Sequence, residues 1–234
     1  MKRIMTICLL GFFCSVSSVF ADIGKHLFVL SGQSNMAGLK PEESFTPAIE
    51  AKFGADNVII VKMAQGGQPI RRWDKFWKAT GEQDPEQIGD LYEVLIKEVK
   101  IQTEGQKLQS VTFLWMQGER DAKEQLADHY QASLQRVLAQ LKADLEIQEL
   151  NFVIGRLSDF DLKNERYPHW TRVREIQVAM AEADDRGAWV DTDDLNDGTN
   201  RKGKAIQNDL HYSADGYITF GTRLAEKAIA LIED

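Results

Sequence analysis

Short apolar runs alternate with helical stripes along this chain, and that alternation leaves it few ways to fold. The runs are Leu27–Leu30, Asn57–Lys62, Val111–Met116, Asn151–Gly155 and a weaker one at Ala188–Val190. Each has the length of a strand and is apolar on both faces, the pattern of strands buried in a parallel sheet. Between them apolar residues recur at steps of three and four. One stripe holds Ile88, Leu91, Leu95 and Val99, and the next holds Leu126, Tyr130, Leu134, Val137 and Leu141 within a helix expected over Lys123–Leu145. Trp170, Val173, Ile176 and Met180 form a third, and Ile218, Gly221, Leu224, Ala228 and Ile232 form the last. Such stripes face a core from amphipathic helices. Parallel strands need crossover connections, so the pattern predicts an α/β fold. We expect one three-layer α/β/α domain with about five parallel strands in the flavodoxin-like order 2-1-3-4-5. Ligands of such sheets bind beyond the carboxyl ends of the strands.

The first 21 residues read differently. Lys2 and Arg3 precede a largely apolar stretch from Ile4 to Val19, and Val19-Phe20-Ala21 offers a small-x-small cleavage site. This is the pattern of an export signal peptide, which leaves residues 22–234 as the domain and places it in the periplasm or outside the cell. The apolar stretch is short for a membrane span and is diluted by Ser15, Ser17 and Ser18, so no stable membrane anchor is expected after cleavage. Both cysteines, Cys8 and Cys14, fall inside the signal. The bulky Ile7 and Phe13 before them do not suit lipid attachment. The exported domain would therefore have neither disulfides nor thiolate chemistry. A net charge of −8 without a basic cluster argues against nucleic acid as a partner.

Four stretches at the predicted strand ends carry unusual chemistry. Leu30-Ser31-Gly32-Gln33-Ser34-Asn35 ends the first strand in a tight turn that opens a helix and can expose the Ser34 hydroxyl. The same stretch also fits a plain loop with Ser34 as a helix N-cap. Gly66-Gly67 follows the second strand, where backbone can approach a ligand closely. Gln117-Gly118-Glu119 follows the third, and Asp209-Leu210-His211 precedes the last helix. Acyl transfer needs such parts. A hydroxyl becomes a useful nucleophile when a base takes its proton, histidine suits that role near neutrality, a carboxylate orients the ring, and fixed N–H donors meet the oxyanion. The other histidines, His26, His129 and His169, lie away from the expected active edge. No ligand spacing suggests a metal site, and no cofactor is implied. The acidic loop with Asp191, Asp193, Asp194 and Asp197 lacks the alternate spacing of an EF-hand and reads as a solvated turn.

The blocks Ser-Gly-Gln-Ser-Asn-Met-Ala-Gly, Gly-Gly-Gln-Pro-Ile, Trp-Met-Gln-Gly-Glu-Arg-Asp and Asp-Leu-His-Tyr-Ser-Ala-Asp-Gly-Tyr, in this order, resemble those of the SGNH hydrolase superfamily. More narrowly they resemble its sialate O-acetylesterase and acetylxylan esterase branch, carbohydrate esterase family 6. The resemblance spans about Lys25 to Ile232. It implies Ser34 as nucleophile and His211 as general base. It implies an oxyanion hole made of the Ser34 and Gly67 N–H groups with the Gln117 side-chain amide. The sequence departs from the superfamily pattern three residues before the histidine, where Asn208 stands in place of the usual Asp. Asp209, two residues before the histidine, and Glu119 are both open as the orienting acid, and a Ser-His dyad is the third option.

The resemblance implies an exported serine esterase that removes O-acetyl groups from carbohydrate, with acetylated carbohydrate as its partner. A non-catalytic carbohydrate-binding protein and a general short-acyl esterase are the competing readings. In the long loop Ala64–Asp84, Trp73 and Trp77 could offer aromatic faces to a sugar, and Arg71 could bond its hydroxyls. Arg156, just past the fourth strand, is a further substrate-contact candidate.

Overall fold

The computed structural model describes residues 24–78 and 87–233. The expected signal peptide over 1–21, with both cysteines, lies outside the described residues. Five strands form one parallel sheet in the order β2-β1-β3-β4-β5. They are β1 (Lys25–Gly32), β2 (Val58–Ala64), β3 (Leu108–Met116), β4 (Asn151–Gly155) and β5 (Gly187–Val190). This is the architecture and order that the alternation predicts. The strands bury because both faces are covered: Val29, Leu30, Phe113, Leu114, Val153 and Ile154 have no exposed surface.

Helices α1 (Ser34–Gly38), α2 (Phe45–Phe53) and α3 (Asp90–Gln102) occupy the first half of the chain. Helices α4 (Glu119–Lys123), α5 (Ala127–Asp144), α6 (Trp170–Glu182) and α7 (Ala214–Glu233) follow. On one side of the sheet α2 packs against α7, while α5 packs against α6 on the other and is tied to α3 through Tyr92 and Asp144. A two-residue antiparallel pair, β6 (Gly198–Thr199) with β7 (Ala205–Ile206), interrupts the acidic loop before α7.

Three details depart from the sequence pattern. The helix expected over Lys123–Leu145 is two helices, because Gln125 takes a left-handed conformation (φ 60°) between α4 and α5. Helix α2 gives no long stripe, having Pro47 in its first turn and only Phe45 and Ile49 buried. On α7, Ile218 is 43% exposed, and the buried face runs instead through Tyr217, Phe220, Leu224 and Ala228.

The strand ends that matter finish level. Gly32 of β1 pairs with Ala64 of β2 on one side and with Met116 of β3 on the other. Beyond the pairing, Gln33 N–H donates to the Met116 carbonyl (2.9 Å) and Gln65 N–H donates to the Gly32 carbonyl (3.0 Å). Gly32 makes this possible. Its φ is +142°, and a Cβ there would stand 2.0 Å from the Met116 carbonyl oxygen. Gly105 serves as a reference, also left-handed (φ +69°) but with nothing within 4 Å of an added Cβ. Gly105→Ala should cost about 1 kcal/mol, the strain of the backbone alone. Gly32→Ala should cost at least about 3 kcal/mol, because backbone must move as well. Urea denaturation of both variants checks this, and equal losses would show that β1 and β3 can part at no cost.

Candidate active site

The turn after β1 makes Ser34 the first residue of α1, beside the ends of β2 and β3. The glycine pair after β2 lies against it: a Cβ on Gly66 would stand 3.5 Å from Ser34 Cβ. Gly67 takes a left-handed turn (φ +71°) with open space on its Cβ side. Ser34, Gly66, Gly67, Glu119 and His211 line one pocket of about 290 Å³. Four stretches far apart in sequence thus meet at the carboxyl edge of the sheet. His26 is instead buried in β1, sharing a hydrogen bond with the Ser110 hydroxyl (2.7 Å), while His129 lies in α5 and His169 precedes α6.

Asn35 ties these stretches together from below. Its Nδ2 donates to Glu119 Oε1 (3.0 Å) and to the Leu210 carbonyl (3.0 Å), next to His211. Its Oδ1 accepts from the Tyr217 hydroxyl of α7 (3.2 Å). With 2% exposure, Asn35 has every polar contact inside the protein. One amide therefore connects the turn that carries Ser34, the start of α4, the histidine loop and the last helix.

Glu119 is 1% exposed, and its Oε2 has no partner. Burial pushes its carboxyl up to about 7, the nearby Asp121 charge raises it slightly, and the bonds from its own N–H and from Asn35 pull it back. Asp121, equally buried, is also raised to about 7 by burial, against bonds from Gln117 and the Ile70 N–H. His211 lines the same pocket, with its side chain 49% exposed. Asp209 Oδ1 accepts from the His211 backbone N–H (3.0 Å) and lies 3.8 Å from His211 Nδ1. Asn208 turns away (φ 42°), with its Oδ1 bonded by Asn196 and its Nδ2 donating to the Phe160 carbonyl. No hydrogen bond joins Ser34 to His211 among the described residues. Catalytic hydrogen bonds are often long before substrate binds.

The side chains expected around the pocket fall into two groups. Ser34, Gly67, Glu119 and His211 line it, with Asp209 beside the histidine. Gln117 does not. Its Nε2 donates to the Gln68 carbonyl (3.0 Å) and to Asp121 Oδ2 (2.5 Å), with a longer contact to Gln33 Oε1 (3.3 Å). An amide has two hydrogens, and both are engaged below the pocket, so Gln117 has none to offer an oxyanion.

Three substrate-contact expectations are corrected as well. Trp73 is fully buried, meets Trp115 edge to face at 5.1 Å and donates its Nε1–H to Ser31 Oγ (3.0 Å), so it offers no face to a sugar. Arg71 pairs with Glu124 (3.0 Å). Arg156 pairs with Asp191 (2.5 Å) and Asp193 (2.8 Å) and stacks on Trp189, all outside the pocket. The acidic loop is likewise less solvated than its sequence suggests, since Asp193 also meets Arg174 and Asp194 meets Arg223. Sequence reasoning missed Gln33, Arg120, Lys123 and Tyr167, which line the pocket too. The last three sit on helix and loop positions whose direction no periodicity reveals.

Residues 38–230 match the family described as "Carbohydrate esterase, sialic acid-specific acetylesterase". The chain belongs to this family. It is a carboxylic ester hydrolase of the carbohydrate acetylesterase kind. Among solved structures, a protein from Arabidopsis thaliana is 19% identical with a TM-score of 0.65, the match covering 88% of this chain and 98% of that one. A carbohydrate acetylesterase from Xanthomonas citri is 17% identical with a TM-score of 0.66, covering 90% of this chain and 56% of that one. A carbohydrate acetylesterase family member from Sinorhizobium meliloti is 13% identical with a TM-score of 0.55, covering 90% of this chain and all of the other. At these identities the likeness shows a shared fold. No curated protein matches the chain.

The raised Glu119 carboxyl has a consequence for stability. Between its ordinary value of 4.5 and about 7, the folded protein binds a proton that the unfolded chain has released. Stability from this group therefore falls as pH rises through that window and is level above it. Glu119→Gln preserves an acceptor for Asn35 and removes the titration. The urea midpoint of the variant should decline less between pH 5 and pH 7.5 than that of the parent. Equal declines would show that Glu119 ionises as freely in the fold as in the unfolded chain.

Proposed function

We propose that this protein is an exported serine esterase that removes O-acetyl groups from carbohydrate through an acyl-enzyme on Ser34. One observation carries the reading. A serine, a histidine with a flanking carboxylate, and a left-handed glycine turn with open space on its Cβ side converge on one small pocket at the active edge of the sheet. Its volume of about 290 Å³ suits an acetyl group on a polar alcohol better than a long acyl chain. The apparent signal peptide supports export, and among the described residues no helix is long and apolar enough to cross a membrane. Neither nucleic acid nor a cofactor enters the proposed reaction.

In the first half-reaction Ser34 Oγ attacks the acetyl carbonyl carbon while His211 takes the hydroxyl proton. The carbonyl oxygen becomes an oxyanion that receives the Ser34 and Gly67 N–H groups. The intermediate collapses, the C–O bond to the sugar breaks, and His211 returns its proton to the departing sugar hydroxyl. Water then attacks the acetyl-Ser34 ester, with His211 as base again, and acetate leaves. The geometry favours Asp209 as the orienting carboxylate, since it lies 3.8 Å from His211 Nδ1 and already bonds the His211 N–H. The partnerless Oε2 of Glu119 in the pocket wall makes that residue the second candidate.

Among the described residues Lys123 has no carboxylate partner within ion-pair distance, and its ammonium lies 5.7 Å from the Tyr167 ring centre at the pocket. That cation favours an acidic sugar such as sialate over a neutral acetylated xylan. Acetate release from both substrates tests the preference: Lys123→Ala should raise KM for the acidic sugar and leave the neutral one unchanged. A uniform change would remove the argument for an anionic substrate.

Ser34→Ala should abolish acetate release and labelling by a fluorophosphonate probe, with turnover falling by at least about 10⁴-fold. Undiminished turnover would refute the mechanism. Asp209→Asn should lower kcat by roughly 10³–10⁴-fold if Asp209 orients the ring, and Glu119→Gln by far less. The reverse ranking would transfer the role to Glu119.

A further inference from the structure

Gln33 is the least expected member of the pocket. It sits in the turn between β1 and α1 with only 3% of its surface exposed. Its backbone is held at both ends: the N–H donates to the Met116 carbonyl (2.9 Å), and the carbonyl accepts from Ala37 N–H (2.8 Å). The side-chain oxygen is held too. Oε1 accepts from the Arg120 backbone N–H (3.2 Å), and Gln117 Nε2, whose two hydrogens go to Gln68 and Asp121, stands 3.3 Å from it. Arg120 N–H can only donate. Gln117 Nε2 faces the Gln68 carbonyl, which can only accept, so that atom is a nitrogen. Both contacts therefore require the oxygen of Gln33 on the buried side. The nitrogen must point the other way, and Nε2 has no hydrogen-bond partner among the described residues.

Two amide hydrogens on a nearly buried side chain are thus left on the wall of the pocket that holds Ser34, Gly67 and His211. Nε2 keeps some solvent exposure at the pocket, so its hydrogens are open to a ligand there. The adjacent Gln117, to which the resemblance assigns the side-chain donor of the oxyanion hole, has none of its hydrogens free. Its effect here is to set an amide nitrogen 3.3 Å from Gln33 Oε1, where a second nitrogen would be unfavourable.

We propose that Gln33 Nε2 is the side-chain donor of the oxyanion hole, completing it alongside the Ser34 and Gly67 N–H groups. In the attack step the carbonyl π pair moves onto oxygen, and the Gln33 amide donates a hydrogen bond to that oxygen without transferring its proton. Gln117 and the Arg120 N–H act as positioning groups behind it. The proposal rests on the acyl-transfer reading above, and the experiment separates the two.

The test compares 4-nitrophenyl acetate with its thionoacetate analogue, in which sulfur replaces the carbonyl oxygen and accepts hydrogen bonds poorly. Two variants are used. Gln33→Glu preserves an acceptor for Arg120 and puts a carboxylate oxygen in place of the NH₂ group. Gln33→Met removes the amide at similar size. Each should lower kcat for the oxygen ester by roughly 10²–10³-fold with little change in KM. Each should also shrink the preference for oxygen over sulfur ester by about tenfold or more, since the thionoester gains little from the lost donor. That ratio does not depend on the fraction of protein that folds, so a merely structural role would leave it unmoved. An unchanged ratio in either variant overturns the assignment of Gln33. Ser34→Ala measured alongside reports on the reading beneath it: if that variant still hydrolyses the oxygen ester, acyl transfer through Ser34 is what has failed.

Discussion

The parallel pairing of β1 with β3 sets where every reacting group can stand. The two strands run level to Gly32 and Met116, and the Met116 carbonyl then accepts from the first N–H beyond the pairing, that of Gln33. A side chain at Gly32 would close that approach, because its Cβ would overlap the carbonyl. Since the strands end together, the turn carrying Ser34 and the turn carrying Glu119 emerge side by side. On the other flank β2 also ends level with Gly32, which brings Gly66 against Ser34. The pocket is a consequence of strand register before it is a matter of side chains.

A buried polar layer translates that register into the positions of side chains. Asn35 spans Glu119, the Leu210 carbonyl and Tyr217, and Gln117 spans Gln68, Asp121 and Gln33. Two carboxyls lie in the layer, and burial raises both well above the ordinary carboxylate range. Inside a protein, such networks stiffen a site when satisfied and are costly where they are not. Three buried atoms of this layer, Gln117 Oε1, Glu119 Oε2 and Asp121 Oδ1, have no partner among the described residues. Stability has been given up there, as is common where chemistry is done.

Much of the fold was legible in the sequence because parallel strands are apolar on both faces and helices are apolar on one. Val29, Leu114 and Ile154 announce buried strands without further context. The site was legible in part. Ser34 and His211 stand out because strand ends are where ligands bind, and His211 alone among the histidines falls at the right place. The direction of a loop side chain has no such signal. Trp73 and Arg71 read as sugar contacts from their neighbourhood, yet one fills the core against Trp115 and the other meets Glu124. Helix α2 and the break at Gln125 escaped for a related reason, since a helix with two buried residues and a single left-handed residue leave too little periodicity to see.

The chain by itself determined the sheet, its order, and which stretches arrive at its active edge, because burial depends on pattern and pattern is local. It also determined that no aspartate stands three residues before His211. Only the tertiary structure decided which groups face the pocket. Gln33 and Gln117 are the same residue type in neighbouring turns, and the family resemblance points to Gln117. The fold gives Gln117 two acceptors below the pocket and gives the Gln33 oxygen the Arg120 N–H, so the hydrogens of Gln117 are engaged and those of Gln33 have no partner among the described residues. Hydrogen bonding is directional and joins residues far apart in the chain, which is why that choice waits for the folded molecule.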